Sequence, residues 1–596
     1  MTVNPKKDII EIEEVTSLYG LFLERVRRSP DAVAYRYFDP HNHQWQDISW
    51  SAMAEKLAGW QAALEKEGLS VGDRVAVMMN SCIEWVLFEQ AALSLGLVVI
   101  PLYTNDRADN VGYIIQDSDV KILLIEGHEQ WEGIKAAKQT LLTLKRLIIK
   151  NPLETDLSNS TTLADWAVGA GELKPARDVM NELATIVYTS GTTGRPKGVM
   201  LSHRNILWNA RASLKAADIY PSDVFLSFLP LSHTFERTIG YYLAMMSGST
   251  VAYARSIAHL AEDLITTKPT VIISVPRIFE RVLLKVKTKL AEQGGFARFM
   301  FRAAVNIGWR RFQYQQNRGR WCPSFLLWPV LKKLVADKLL DKLGGQIRVA
   351  VCGGAPLSED VAKVFIGLGL PMIQGYGLTE TSPVIGVNRL EDNVPASVGL
   401  PLEGVEVKID DKEQLLTRSP SVMMGYWNNI QATEEIMDQE GWLNTGDKAR
   451  IEGGHIFITG RTKDIIVLAN GEKVPPADME AAIAMDALFE QVLVLGEGKP
   501  YLSAIVVLNS EQKKNFLKSF ADSSGNISKD KVKKALMTRV LAQLSDFPGY
   551  AQIRNLVVID EPWTVENEML TPTLKARRNV ILKHYEKEVS DLYHGH

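Results

Sequence analysis

The sequence predicts an α/β protein: a large N-terminal domain of parallel-rich sheets packed by helices, then a small α+β C-terminal domain. Three observations predict it. The chain has 596 residues, more than one hydrophobic core ordinarily serves. Short, continuous apolar runs recur and alternate with helical patterns, as strands covered on both faces require. Near Gly460 the texture changes to a smaller set of strands and amphipathic helices.

The elements follow in order. Expected strands span 74–79, 97–101 and 122–125, then 224–229, 271–275 and 347–351; each is rich in Val, Ile, Leu, Ala or Met. Ligands of such sheets bind beyond the carboxyl ends of the strands, and several motifs begin where these strands would stop. After Gly460, strands are expected at 465–468, 492–495, 502–507 and 556–559, with helices over 478–485 and 530–544. The division is 1–460 and 461–596.

Composition narrows the function classes. Apolar residues make up 46% and charged residues 23%, an ordinary globular balance, and the net charge of −3 gives no general case for nucleic-acid binding. Cys82, Cys322 and Cys352 are too few and too scattered for a disulfide framework or metal cluster, which fits a reducing cytosol. The start of the chain lacks the apolar core of a secretion signal, and the longest apolar run, 86–103, is interrupted by Glu89 and Gln90. A cytoplasmic protein is expected, with any membrane contact peripheral.

One loop is the most informative. An apolar run, 184–188, feeds Tyr188-Thr189-Ser190-Gly191-Thr192-Thr193-Gly194-Arg195-Pro196-Lys197-Gly198. Its glycines allow close backbone approach, and its hydroxyls and cations offer many donors with no carboxylate among them, which suits phosphate oxygens. It is not the loop of common ATPases and GTPases, because Lys197 is followed by Gly198 rather than by a metal-binding hydroxyl. A second anchor, Gln374-Gly375-Tyr376-Gly377-Leu378-Thr379-Glu380, puts an aromatic ring, a hydroxyl and a carboxylate in one short turn. Cys352-Gly353-Gly354-Ala355-Pro356 follows an expected strand, and there Cys352 reads as a buried small residue rather than a nucleophile.

Together these segments resemble the adenylate-forming superfamily: acyl-CoA synthetases, peptide-synthetase adenylation domains and firefly-type luciferases. The resemblance runs through most of the chain and implies ATP-dependent activation of a carboxylate as acyl-AMP, with Mg²⁺ and coenzyme A as further requirements. It places Thr189, Ser190, Gly191, Thr192, Thr193, Gly194 and Lys197 around the phosphates. It places Gly353, Gly354, Ala355, Pro356, Gln374, Gly375, Tyr376 and Gly377 about adenine, and Thr379 at the α-phosphate. Glu380 and Thr189 are implied on the metal side. Gly441-Trp442-Leu443-Asn444-Thr445-Gly446-Asp447 matches the ribose segment, with Asp447 and then Arg461 at the ribose. Lys463 matches the interdomain hinge that makes the small domain mobile. Gly471, Glu472 and Lys473 match the loop facing the CoA channel, and Lys575 in Leu570-Thr571-Pro572-Thr573-Leu574-Lys575 matches the catalytic lysine. His233, in Leu231-Ser232-His233-Thr234-Phe235-Glu236-Arg237, is the expected acyl-site residue. This last stretch resembles the long-chain fatty acyl branch, so the expected partners are a fatty acid and CoA. A fatty acyl-AMP ligase serving a carrier protein is the alternative.

The segment 296–333 adds an independent signal. It holds eight Arg or Lys residues and no acid, interleaved with aromatics. Cations attract anionic headgroups while aromatic rings sit at the interface. The inner face of a membrane, CoA phosphates, a partner protein, or simply a core helix with a solvated basic face all remain compatible with it.

Overall fold

The computed structural model describes residues 7–153, 157–189, 195–462, 464–470, 472–520, 528–545, 547 and 551–593. Ser190–Gly194, Lys463 and Gly471 lie outside them. Two large sheets carry the N-terminal part. The first has nine strands, with Met372–Gly377, Val349–Cys352, Val271–Ser274, Val224–Ser227 and Thr250–Tyr253 adjacent at its centre. These five run parallel, so their carboxyl ends form one common edge.

The second sheet has eight strands. Val98–Pro101, Arg74–Met78 and Val120–Ile125 are parallel within it. Leu183–Thr189 pairs parallel to Val98–Pro101 and antiparallel to Lys197–Ser202, so the strand before the glycine-rich segment is followed by a strand rather than by a helix. Most of the expected strands stand within a residue or two of their anticipated positions. The 224–229 strand ends at Ser227, just ahead of Pro230, which has no N–H to give a ladder.

The run 86–103 is core rather than membrane. It spans most of the Ile83–Ser94 helix, buried at every residue but Glu84, and the buried Val98–Pro101 strand. A helix apolar all round belongs inside. Each of its two polar interruptions has one buried partner: Arg237 Nε donates to Glu89 Oε1 at 2.6 Å and Gln90 Nε2 donates to Tyr241 Oη at 2.6 Å. No helix among the described residues is long and apolar enough to cross a membrane.

A four-stranded antiparallel sheet, ending in Leu443–Glu452 and His455–Arg461, leads to the small C-terminal domain. There Phe489–Leu495, Leu502–Leu508 and Ile553–Ile559 form a three-stranded sheet. Side chains alternate across it. Val492 and Val494 join one apolar cluster with the Pro476–Ala484 and Lys529–Gln543 helices, while Leu493 and Leu495 join another with Ile581 and Tyr585.

Candidate active site

The carboxyl-end edge of the nine-stranded sheet assembles the motifs. Val224–Ser227 leads to His233, Val349–Cys352 to Gly353–Pro356, and Met372–Gly377 to Thr379 and Glu380. Gly353 N–H donates to Ser274 O at 3.0 Å. A Cβ on Gly353 would stand 3.0 Å from the Phe235 ring, and one on Gly377 would stand 1.8 Å from Pro383 O. Both glycines are therefore set by close approach. Cys352 is buried and its thiol is pushed well up by desolvation, which disfavours the thiolate.

Asp447 and Arg461 are direct partners across two antiparallel strands. Arg461 Nε donates to Asp447 Oδ1 at 3.0 Å, and Tyr376 Oη donates to Oδ2 at 2.5 Å. The ring and the carboxylate, 71 residues apart, thus form one unit. Burial, then the neighbouring Asp447 charge, holds the Tyr376 phenol far above its ordinary value, so it stays a donor.

Glu380 sits in the short Thr379–Thr381 turn, and Tyr426 Oη donates to its Oε1 at 2.8 Å. Lys197 Nζ lies 5.0 Å over the Tyr426 ring, a cation–π contact. Tyr426 reaches this place because Gly425–Tyr426 adds a short antiparallel strand beside Lys197–Ser202. The Lys197 strand and the Glu380 turn are therefore joined through one ring. Sequence reasoning missed Tyr426; its only local signal is the preceding Gly425, whose φ of 133° is glycine territory.

Lys575 arrives from the other end of the chain. Leu570 and Ala576 bridge a tight hairpin, Leu574 takes the left-handed region at φ 60°, and Lys575 N–H donates to Thr571 Oγ1 at 3.0 Å. The hairpin is docked on the large domain: Asn105 Nδ2 donates to Pro572 O at 3.2 Å, and Arg107 pairs with Glu568. Burial in the cleft, then Arg461, lowers the Lys575 pKa, while Asp447 and Glu380 pull it back up. Lys575 therefore lies within electrostatic reach of Arg461, Asp447 and Glu380.

His233 belongs to the same cleft. Burial, reinforced by the Lys575 charge, pushes its pKa down to about 4. Phe235 N–H donates to His233 Nδ1 at 3.2 Å, which leaves the proton of a neutral imidazole on Nε2. Thr189 Oγ1 lies 3.4 Å from Lys197 O on the paired strand. Glu472 and Lys473 are not part of this gathering: Lys473 lies in a short exposed pairing with Val467. Among the described residues no hydrogen bond or ion pair ties either of them to Glu380, Asp447 or Lys575.

Comparison with known proteins decides the family. The AMP-binding enzyme model matches residues 22–427, and the AMP-binding enzyme C-terminal domain matches 463–596. The chain belongs to the AMP-binding enzyme family. It is 31% identical over 600 residues to "Long-chain-fatty-acid--CoA ligase FadD15" of Mycobacterium bovis, covering 98% of each chain. It is 26% identical to "Long-chain-fatty-acid--[acyl-carrier-protein] ligase AEE15, chloroplastic" of Arabidopsis thaliana, covering 93% of this chain and 84% of that one. Among solved structures, the anthranilate CoA ligase AuaEII in complex with anthranoyl-AMP superposes with a TM-score of 0.73 at 18% identity, over 96% of this chain and 98% of that one. This last likeness shows the shared two-domain fold.

Proposed function

We propose that this AMP-binding enzyme is an ATP-dependent long-chain fatty acid–CoA ligase. The observation that carries the reading is the docking of the Lys575 hairpin on the large domain, which buries Lys575 within reach of the charges of Arg461, Asp447 and Glu380, in a chain similar along its full length to ligases named for that reaction. A carboxylate oxygen of the fatty acid attacks the α-phosphorus of ATP, the bond to the bridging oxygen breaks, and pyrophosphate leaves. The Lys575 ammonium and Thr379 stabilise charge on the α-phosphate oxygens, most strongly where water is excluded. Residues 189–194 and Lys197 hold the remaining phosphates, Asp447 and Arg461 the ribose, and Gly353–Pro356 with Gln374–Gly377 the adenine. Neutral His233 offers Nε2–H beside the acyl carboxylate.

The donors also suit Mg²⁺. Tyr426 occupies one Glu380 oxygen, which leaves the second for a hard cation, and Thr189 adds a hydroxyl. Among the described residues no three His, Cys, Asp or Glu side chains form a metal cage of their own. Magnesium characteristically binds through one or two carboxylates plus substrate phosphates, whose charge it neutralises. In the second half-reaction the small domain swings about Lys463, withdrawing Lys575 and turning Gly471, Glu472 and Lys473 toward the incoming thiol. The CoA sulfur attacks the acyl carbonyl, its proton is lost, and AMP departs. The protein is read as cytoplasmic, with peripheral contact at the inner face of a membrane through 296–333.

The test separates the two halves. Wild type should exchange labelled pyrophosphate into ATP when fatty acid and Mg²⁺ are present. Lys575→Ala should lose roughly 100-fold or more of that exchange while keeping thioester formation from supplied acyl-AMP within a few-fold. Equal loss of both half-reactions would refute the assignment. The carrier-protein relative favours one second reading, an acyl-AMP ligase with a protein acceptor. In that case the folded protein with ATP and fatty acid would accumulate acyl-AMP that added CoA fails to discharge.

A further inference from the structure

The basic segment 296–333 folds as a helix, Gly295–Gln315, packed beside a second helical stretch that begins at Pro323. The inward sides are well packed. Ala304, Val305, Trp328 and Leu331 form a buried cluster, and Gly308 lies close under the Trp328 ring. The outward sides are apolar where water would be expected. Phe296 and Phe299 are 77% and 66% exposed, Leu326 and Leu327 are 74% and 57%, and Val330 and Leu334 are 58% and 49%. Those last four share one outward sector of the helical stretch, whereas Trp328 and Leu331 are buried. Exposed apolar surface on this scale marks a contact surface.

The charge left unpaired around it is basic. Arg318 pairs with Asp392, Lys332 pairs with Asp337, and Arg311 lies over the Trp328 ring. Arg298, Arg302, Arg310, Arg320 and Lys333 are exposed, and among the described residues no ion pair is recorded for any of them. A symmetric dimer through this face would set the patch against itself, cation against cation. A small anion such as a CoA phosphate asks for a concave cradle, whereas these side chains project from an outward helical surface. Anionic headgroups meeting the cations while Phe, Leu and Val enter the acyl boundary satisfy both features at once.

We infer that this face docks the protein on the surface of an anionic lipid bilayer, lying in the interface without crossing it. The inference deepens the peripheral reading given above and rests on it. Its test is flotation of the full-length protein with two kinds of vesicle: phosphatidylcholine alone, and phosphatidylcholine with phosphatidylglycerol at about 7:3. Binding to the anionic vesicles should exceed binding to the neutral ones at least tenfold and should weaken as salt rises. Phe299→Ser with Leu327→Ser, and separately Arg298→Gln with Arg302→Gln, should each lower that binding at least tenfold. Adenylation of a water-soluble short acid and the melting temperature should stay unchanged in both, since all four side chains are exposed.

Equal binding to both vesicle types would overturn the anionic assignment while leaving peripheral contact standing; binding to neither would overturn both. Vesicle binding unaffected by either pair of substitutions would remove it from this face. A concentration-dependent oligomer abolished by the serine pair would replace the bilayer with a second copy. The ligase reading is scored separately, by the pyrophosphate exchange of the same samples.

Discussion

Glu236 is almost fully buried, three residues past His233, and its Oε2 has no recorded hydrogen-bond partner. It opens a π-helical stretch, 236–242, whose Gly240 leaves room for the carboxyl: a Cβ there would stand 2.4 Å from Glu236 Oε1. Burial pushes the Glu236 pKa from 4.5 up to about 8, so at neutral pH the group is mostly protonated and uncharged. Between those two values the folded protein binds more protons than the unfolded chain. Stability from this group is complete below about pH 4.5 and falls as pH rises toward about 8, by on the order of 5 kcal/mol at most. Glu236→Gln is uncharged at every pH and should lose less stability between pH 5 and pH 8 than wild type in parallel denaturant melts. Identical pH dependence in the two proteins would show that the carboxyl is already ionised at pH 5. His233 has the opposite sign: its depressed pKa adds stability as pH climbs from about 4 to about 6.5.

At the scale of elements, the Gly295–Gln315 helix crosses the Glu359–Gly367 helix at very short range. A Cβ on Gly308 would lie 1.7 Å from Gly367 O, and one on Gly367 would lie 2.7 Å from Val305 O. Gly308→Ala should therefore cost about 2 kcal/mol, because backbone cannot yield as a flexible side chain can. Gly295→Ala, with nothing within 4 Å of its added methyl group, should be close to neutral in the same thermal melts. An equal melting temperature for the two variants would mean the crossing is looser than described. This contact also marks a limit of the sequence. Continuous apolar runs announce buried strands, so 122–125 and 271–275 were legible. A glycine inside a helix announces only permissiveness, and its partner 59 residues on depends on how the helices cross. The same holds in the site. Thr379, Glu380, Asp447 and Lys575 stand in local motifs that resemblance can align. Tyr426 acts through a short edge strand whose pairing with Lys197–Ser202 is a tertiary fact. So is the bond by which Tyr376, besides its place in the 374–380 motif, donates to Asp447.

Over the whole molecule, the pose that inserts Lys575 is held mainly by polar contacts across the two domains. Arg107 pairs with Glu568, Asn105 holds Pro572 O, and Arg277 Nη2 donates to Glu490 O at 3.3 Å. Arg107→Ala removes a partly exposed ion pair worth about 1 kcal/mol. It should slow pyrophosphate exchange by about 5-fold and leave acyl transfer from supplied acyl-AMP untouched. Lys463→Pro should do the reverse, sparing exchange and slowing CoA-dependent turnover; unchanged turnover would move the pivot elsewhere.

The alternating sheet of the small domain has a mechanical consequence. Both of its oily faces are sealed by helices and loops of the same domain, and neither cluster borrows a residue from before Ile466. Its apolar footholds on the large domain include Met485, packed on the core that holds Phe365 and Met372, and Pro572, which faces Leu102 and Tyr103. On the proposed swing the small domain would travel as a sealed package: water can replace most of what it lets go of, so repositioning would cost little more than a few surface bonds.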